Sequence, residues 1–264
     1  MVAIVLAGWV AGSLGNLSEG LVWSDEFNRD GTPNAAKWGY ETGFVRNEEQ
    51  QWYQPQNASV KAGHLIITGR REVIPNPKHQ PDSQDWRLNR AQADFSSASL
   101  TTRTKFTWTY GRLEVRARFK AQDGLWPAIW ALGTGRPWPQ CGEVDVMEYY
   151  QQTLLANACW ANGTWDTTKT PMTVFTKTDP QWDQRFHVWE MDWNADRMRL
   201  SVDGRLLNEV DLTKTLNADG MNPFHEPLYL ILNLAIGSTG GDPTRADFPA
   251  KFEVDYVRIY QANN

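Results

Sequence analysis

Three carboxylates fall within six positions of one apolar segment, Gly142-Glu143-Val144-Asp145-Val146-Met147-Glu148-Tyr149-Tyr150. Val144, Val146, Tyr149 and Tyr150 mark it as a buried or half-buried strand, where an unpartnered carboxylate is costly. On a regular strand Glu143 and Asp145 share a face, whereas Glu148, an odd number of positions beyond Glu143, points to the other. A single β-bulge between Asp145 and Glu148, with Val146 or Met147 as the extra residue, restores convergence. The backbone path from Glu143 to Glu148 is about 13–16 Å, so the side chains must lean together over a curved sheet. Carboxyl groups brought to about 5–5.5 Å suit a double displacement at a glycosidic bond: one attacks the anomeric carbon and the other protonates the leaving oxygen. Asp145, between them, would hold a proton or hydrogen bond that keeps their pKa values apart. A row of solvated charges does not fit the apolar neighbours, and a calcium site groups its oxygen ligands around a loop rather than along a strand.

The elements that must position these groups read as strands. Short alternating runs recur at 59–71, 97–120, 185–212 and 227–237, separated by Gly, Asn, Asp and Pro. In Arg112–Phe119, Leu113, Val115, Ala117 and Phe119 share one face and Arg112, Glu114, Arg116 and Arg118 the other, as a half-wet antiparallel sheet requires. Asn194–Asp196 and Asp203-Gly204 bracket a hairpin strand at 198–202, and 221–227 reads as a loop with at most one helical turn. The polar stretch 72–95, with Pro75, Pro77 and Pro81, is expected as a loop rimming a cleft. Many strands without helices imply an all-β, two-sheet antiparallel sandwich of jelly-roll type, whose concave sheet can hold a long ligand. Residues 21–264 are expected as one domain, and residues 1–20 as a leader or signal remnant outside its core.

The 264-residue chain has a net charge of −5 and a sequence pI near 5.4, which gives no electrostatic reason for a nucleic-acid partner. Beyond residue 20 no segment approaches the roughly 20 apolar residues of a membrane span. Fourteen Trp are a surplus that a sugar-stacking cleft would use. Two cysteines are too few for a disulfide framework. If 150–154 is a hairpin turn, Cys159 falls opposite position 144 or 145 rather than Cys141, so a bond between them stays open but is not expected. His64, His79, His187 and His225 show no ligand spacing.

With these residues in view, the chain resembles glycoside hydrolase family 16, in its laminarinase-like branch with the bulged pattern E-x-D-x-x-E. The resemblance rests on RNEEQQWY at 46–53, 97–119, GLWPAIWAL at 124–132, GEVDVMEYY, 186–193, 230–237 and 253–261, in family order. It implies a concanavalin A-like sandwich with Glu143 as nucleophile, Glu148 as acid/base and Asp145 as the assisting carboxylate. It further implies that Asn47, Trp126, Trp130, Trp160 and Asn233 bind substrate, with Asn47 on the non-reducing side. Where relatives carry His and an aromatic near the leaving group, this chain has Cys159-Trp160. Catalysis would need no cofactor, while a structural Ca²⁺ would sit on Asp255 with main-chain oxygens of Glu26 and Gly63.

The expected activity is retaining endo-cleavage of a β-1,3-linked polysaccharide, of laminarin or mixed-linkage type, by a secreted or periplasmic monomer. An endo-β-1,3-galactanase is the runner-up. A lectin-like module is remote, because a lectin has no use for both Glu143 and Glu148.

Overall fold

The structure is a computed structural model that describes residues 19–262. The expected leader lies outside the described residues up to position 18. Glu19 and Gly20 already pair with Ala262 and Gln261, so the sheet starts slightly ahead of the expected boundary.

Two sheets pack face to face. The seven-stranded sheet runs Thr164–Pro171, Thr153–Trp160, Glu143–Tyr150, Leu125–Gly133, Leu228–Ile236, Ser99–Thr101, Gly39–Glu41. Behind it a ten-stranded sheet follows the path Arg205–Asp211, Arg197–Val202, His187–Trp193, Gly111–Phe119, Ala250–Ala262, His64–Pro75, Gln92–Ser97, Gln51–Tyr53. Glu19–Asp25 and Ala58–Lys61 pair onto Ala250–Ala262 and His64–Pro75. Neighbours are antiparallel throughout, except that Gln51–Tyr53 and Gln92–Ser97 run parallel.

Alternation explains the outer sheet. Leu113, Val115 and Ala117 are fully buried and point at the other sheet, while Glu114, Arg116 and Arg118 face outward and are only partly covered. The central strand Leu228–Ile236 has no such alternation and is buried at every position. One of its faces meets the inter-sheet core and the other the floor of a groove, so both can be apolar. Leu113, Ile129, Val144, Val146, Met147, Tyr149, Trp189 and Phe252 belong to the inter-sheet cluster. Each such side chain stabilises the sandwich by about 1.5–3 kcal/mol relative to exposure.

The expected break in the acidic strand is present. Against Thr153–Trp160, Asp145 pairs with Asn157 but Glu148 with Leu155; against Leu125–Gly133, Asp145 pairs with Trp130 and Met147 already with Ile129. Val146 is therefore the extra residue, and both it and Met147 lie in the inter-sheet core. Spending two successive residues on the core returns Glu148 to the face of Glu143 and Asp145. The slip also corrects one expectation. Tyr150 pairs with Thr153 around the two-residue turn Gln151-Gln152, and because the bulge consumes a residue, Cys159 faces Glu143 rather than position 144 or 145. Both cysteines are buried free thiols.

The stretch expected as one long loop is more ordered. The strand from His64 runs to Pro75, Asp85 caps a helical turn at Trp86–Asn89, and Gln92–Ser97 returns to the sheet. Asn76 donates to the carbonyls of Arg87 and Arg90 at 2.9 and 2.8 Å, closing the excursion. Arg90 then reaches the carbonyls of Glu49 and Glu48 at 2.6 and 3.1 Å, fastening it to the segment that carries Asn47.

Removing the extra residue should separate folding from chemistry. Val146→Ala keeps the residue count and should lower stability by about 1–3 kcal/mol while retaining activity. Deleting Val146 would turn Glu148 into the apolar core and should abolish turnover, measured as polysaccharide cleavage beside urea unfolding.

Candidate active site

The bulged strand and its two neighbours set cleft-facing residues into three rows that cross the seven-stranded sheet. One row is Lys169, Leu155, Glu148, Ala128, Asn233, Ser99 and Glu41; the next is Thr167, Asn157, Asp145, Trp130 and Ile231; the third is Trp165, Cys159, Glu143, Leu132 and Tyr229. Ala128, Trp130, Leu132, Tyr229 and Ile231 form a small apolar cluster separate from the inter-sheet core. Ala128, Trp130 and Leu132 of this cluster line an open cleft of about 1190 Å³.

Each carboxyl group is held by a donor from a different element. Trp126, on the preceding strand, donates its indole N–H to Glu148 Oε1 at 2.8 Å. Trp138, on the loop before the acidic strand, donates its own to Glu143 Oε2. Asn157, on the following strand, places Nδ2 3.0 Å from both Asp145 Oδ2 and Glu148 Oε2. Asp145 is 2% exposed and lies between Glu143 and Glu148 on the strand, close enough for their charges to act on it.

Burial decides where the protons reside. It raises Glu148 to about 7, with the Glu143 charge adding to the rise and the Trp126, Asp145 and Asn157 hydrogen bonds opposing it. Burial, followed by the charges of Glu148 and Glu143, pushes Asp145 well above the ordinary carboxylate range. Glu143 is raised by burial, while the Trp138 and Asp145 hydrogen bonds and the Arg46 charge favour its ionised form. The arrangement therefore offers a donor-stabilised carboxylate, a carboxylic acid that titrates near neutrality, and between them a third carboxyl group whose burial favours its neutral form. Cys159, beneath Glu143, is a neutral thiol raised to about 12 by burial and the nearby carboxylates.

The expected binding residues separate into two groups. Asn47, Trp126, Trp130 and Asn233 all line the cleft. Trp130 donates to Asn233 Oδ1 at 2.7 Å, and Asn233 donates to the Tyr53 hydroxyl at 3.0 Å. The Arg46 guanidinium lies 4.8 Å over the Trp130 ring and is ion-paired to Glu41, which accepts from Ser99 at 2.6 Å. Asn47 sits at φ 56°, a left-handed conformation that Asn tolerates, and turns its amide toward Glu49 at 3.4 Å.

Trp160 does not join them. It follows the cleft-facing Cys159, so strand alternation sends it to the opposite face, where it packs edge-on against Phe224 at 6.4 Å. The cleft indoles missed in the sequence are Trp138 and Trp165. Asn157 was also missed, although its place opposite Asp145 follows once the hairpin is counted through a bulge.

Of the expected calcium ligands, Asp255 pairs one carboxylate oxygen with Arg116 and has the other 3.6 Å from His64 Nε2.

Two carboxyl groups with opposed environments on the floor of a long cleft define a glycosidase-type site. Glycosyl hydrolases family 16 matches residues 47–258. The β-glucanase of Rhodothermus marinus is 35% identical over 262 residues, covering 91% of this chain and 85% of its own. A solved structure described with the words "endo-acting O-glycanases to initiate mucin breakdown", in the human gut microbiota, superposes with a TM-score of 0.84 at 33% identity, over 93% of this chain and 91% of that one. The laminarinase catalytic domain of Thermotoga petrophila superposes with a TM-score of 0.78 at 29% identity, over 93% and 99%. The chain belongs to glycoside hydrolase family 16.

Two outcomes follow from the proton arrangement. Trp126→Phe removes a donor to the ionised form of Glu148, so the basic limb of the pH–rate profile should move to higher pH; a downward shift in kcat against pH would contradict this. Glu148 is raised from 4.5 in the unfolded chain to about 7, so its contribution to stability is complete below about 4.5 and is lost as pH rises through about 7. Glu148→Gln has no charge to bury, and its melting temperature should gain on the wild type progressively between those pH values.

Proposed function

We propose that the protein is a retaining endo-β-1,3-glucanase, acting on laminarin-type glucan and on mixed-linkage β-1,3/1,4-glucan. The observation that carries the reading is the single bulged strand that brings Glu143 and Glu148 to one face of the cleft, with Asp145 between them and a different indole donor on each glutamate. Glu143, ionised, attacks the anomeric carbon while Glu148 gives its proton to the leaving oxygen, and a glycosyl ester on Glu143 results. Glu148, now a carboxylate, takes a proton from water; the water oxygen attacks the same carbon, the ester bond breaks, and Glu143 is restored. Asp145, whose burial favours its neutral form, limits the repulsion that would otherwise grow when Glu148 loses its proton.

The substrate class is supported by the relatives, among them the Rhodothermus marinus β-glucanase and the Thermotoga petrophila laminarinase, and by the open cleft, which a polymer can enter anywhere along its length. A polysaccharide does not cross a cytoplasmic membrane unaided, which supports a secreted or periplasmic site of action.

Glu143→Ser should lower kcat by about 10⁴-fold or more with the melting curve preserved, since a group that forms the covalent bond has no substitute nearby. Residual turnover within tenfold of the wild type would exclude Glu143 as nucleophile. Reducing-end release from laminarin, barley β-glucan, β-1,3-galactan and mucin O-glycans tests the substrate: release from the glucans is expected. Release confined to the galactan or the mucin glycans would overturn the glucan reading while leaving the hydrolase intact.

A further inference from the structure

Eight large apolar side chains among the described residues are well exposed, and only Trp138 (56%) and Trp165 (46%) of these line the cleft. Trp138 is tethered to Glu143 through its N–H. Trp165 has no ring or cation stacked on it among the described residues, whereas Trp126 meets Tyr150 and Trp130 meets Arg46. A bare indole face on a soluble protein is a place where something else packs.

Its orientation is fixed. Trp165 belongs to the edge strand Thr164–Pro171, whose ladder with Thr153–Trp160 is unbroken from Thr153 to Trp160. The next residue, Asp166, is held on the opposite face by Asn208 Nδ2 at 3.1 Å, and Asn208 is itself anchored to the Ala156 carbonyl at 3.0 Å. Alternation then presents Trp165, Thr167 and Lys169 together to the cleft, beyond Glu143, Asp145 and Glu148 in the three rows. Between Glu143 and Trp165 lies only Cys159, a small neutral side chain with no exposed surface that leaves the space in front of the ring unfilled. Lys169 has no ion-pair partner among the described residues. Strand spacing puts this row about 10 Å from the bulged strand. Arg46, Asn47, Trp130 and Asn233 occupy the opposite flank.

We propose that Trp165, Thr167 and Lys169 form the binding wall for the leaving portion of the polysaccharide. Trp165 takes the face of a pyranose beyond the cleaved bond, and the Thr167 hydroxyl and Lys169 ammonium hydrogen-bond its hydroxyl groups. The proposal rests on the glycosidase reading and names the residues that serve the acceptor side of the same site.

A glycosyl fluoride tests it, because fluoride as leaving group fills no acceptor-side position. With a β-1,3-linked glucobiosyl fluoride, Trp165→Ala should match the wild type. On laminarin it should lose about tenfold in kcat/KM, mostly through a higher KM, with Trp165→Phe recovering most of the loss and Lys169→Met losing about threefold. An equal loss on fluoride and polymer, or no loss on the polymer, overturns the wall. A wild type inactive on both substrates overturns the glucan reading instead, and the same variants on a β-galactan and its glycosyl fluoride then decide the wall separately.

Discussion

Three carboxyl groups buried side by side cannot all be charged, and much of the site answers that constraint. Apolar side chains, among them Ala128, Trp130 and Leu132, line the cleft around them and take the place of solvating water. What compensates is a set of fixed N–H donors on the charged forms and the proton of at least one neutral carboxyl group. The donors come from the preceding strand, the preceding loop and the following strand, so the electrostatics of the acidic strand depend on its neighbours keeping register. Glu148, titrating near neutrality, is the group placed to give and take a proton, while burial and the neighbouring charges raise Asp145 well above the ordinary carboxylate range.

Register in turn depends on one residue. Without Val146 as an extra member, the ladder would alternate normally and the acid would face the core. The bulge interrupts pairing with both adjacent strands, and that loss is offset because Val146 and Met147 both enter the inter-sheet core. The same side chains that hold the sandwich together therefore aim the chemistry. Stability and geometry meet at this point: the size of the Val146 side chain serves the core, while its presence as a counted residue turns Glu148 to the cleft.

The acidic strand and its bulge were legible because they break a pattern: charges on an apolar strand and an odd spacing inside a period of two. The alternating strand Gly111–Phe119 was legible for the same reason. What escaped depends on pairs far apart in sequence. The donor roles of Trp126 and Trp138 need the fold, since nothing local says where an indole N–H points. Trp160 was misplaced because its face follows from alternation counted through a shifted register, and the same count would have brought Asn157 and Trp165 to the cleft. Asp255, expected as a cation ligand, also pairs with Arg116, a partner 139 positions away that no local pattern announces. Polar residues at 72–95 suggested a loop, yet Asn76 and Arg90 spend their side chains on backbone carbonyls and order it.

The two flanks of the cleft differ in a way that suits a covalent intermediate. On one flank Glu41, Arg46 and Trp130 are locked together, and Trp130 continues through Asn233 to Tyr53. A sugar bound there meets groups whose positions are already determined, so little entropy is lost in holding it while the ester exists. On the other flank, among the described residues, Trp165 has no ring or cation stacked on it and Lys169 has no ion-pair partner. Contacts made there have to be reversible within one turnover: the leaving portion must depart before water can reach the anomeric carbon from the side it vacates. A wall as tightly built as the opposite one would hold the product in the way of the second step. The preorganised flank thus serves the bond that forms, and the open flank serves the fragment that goes.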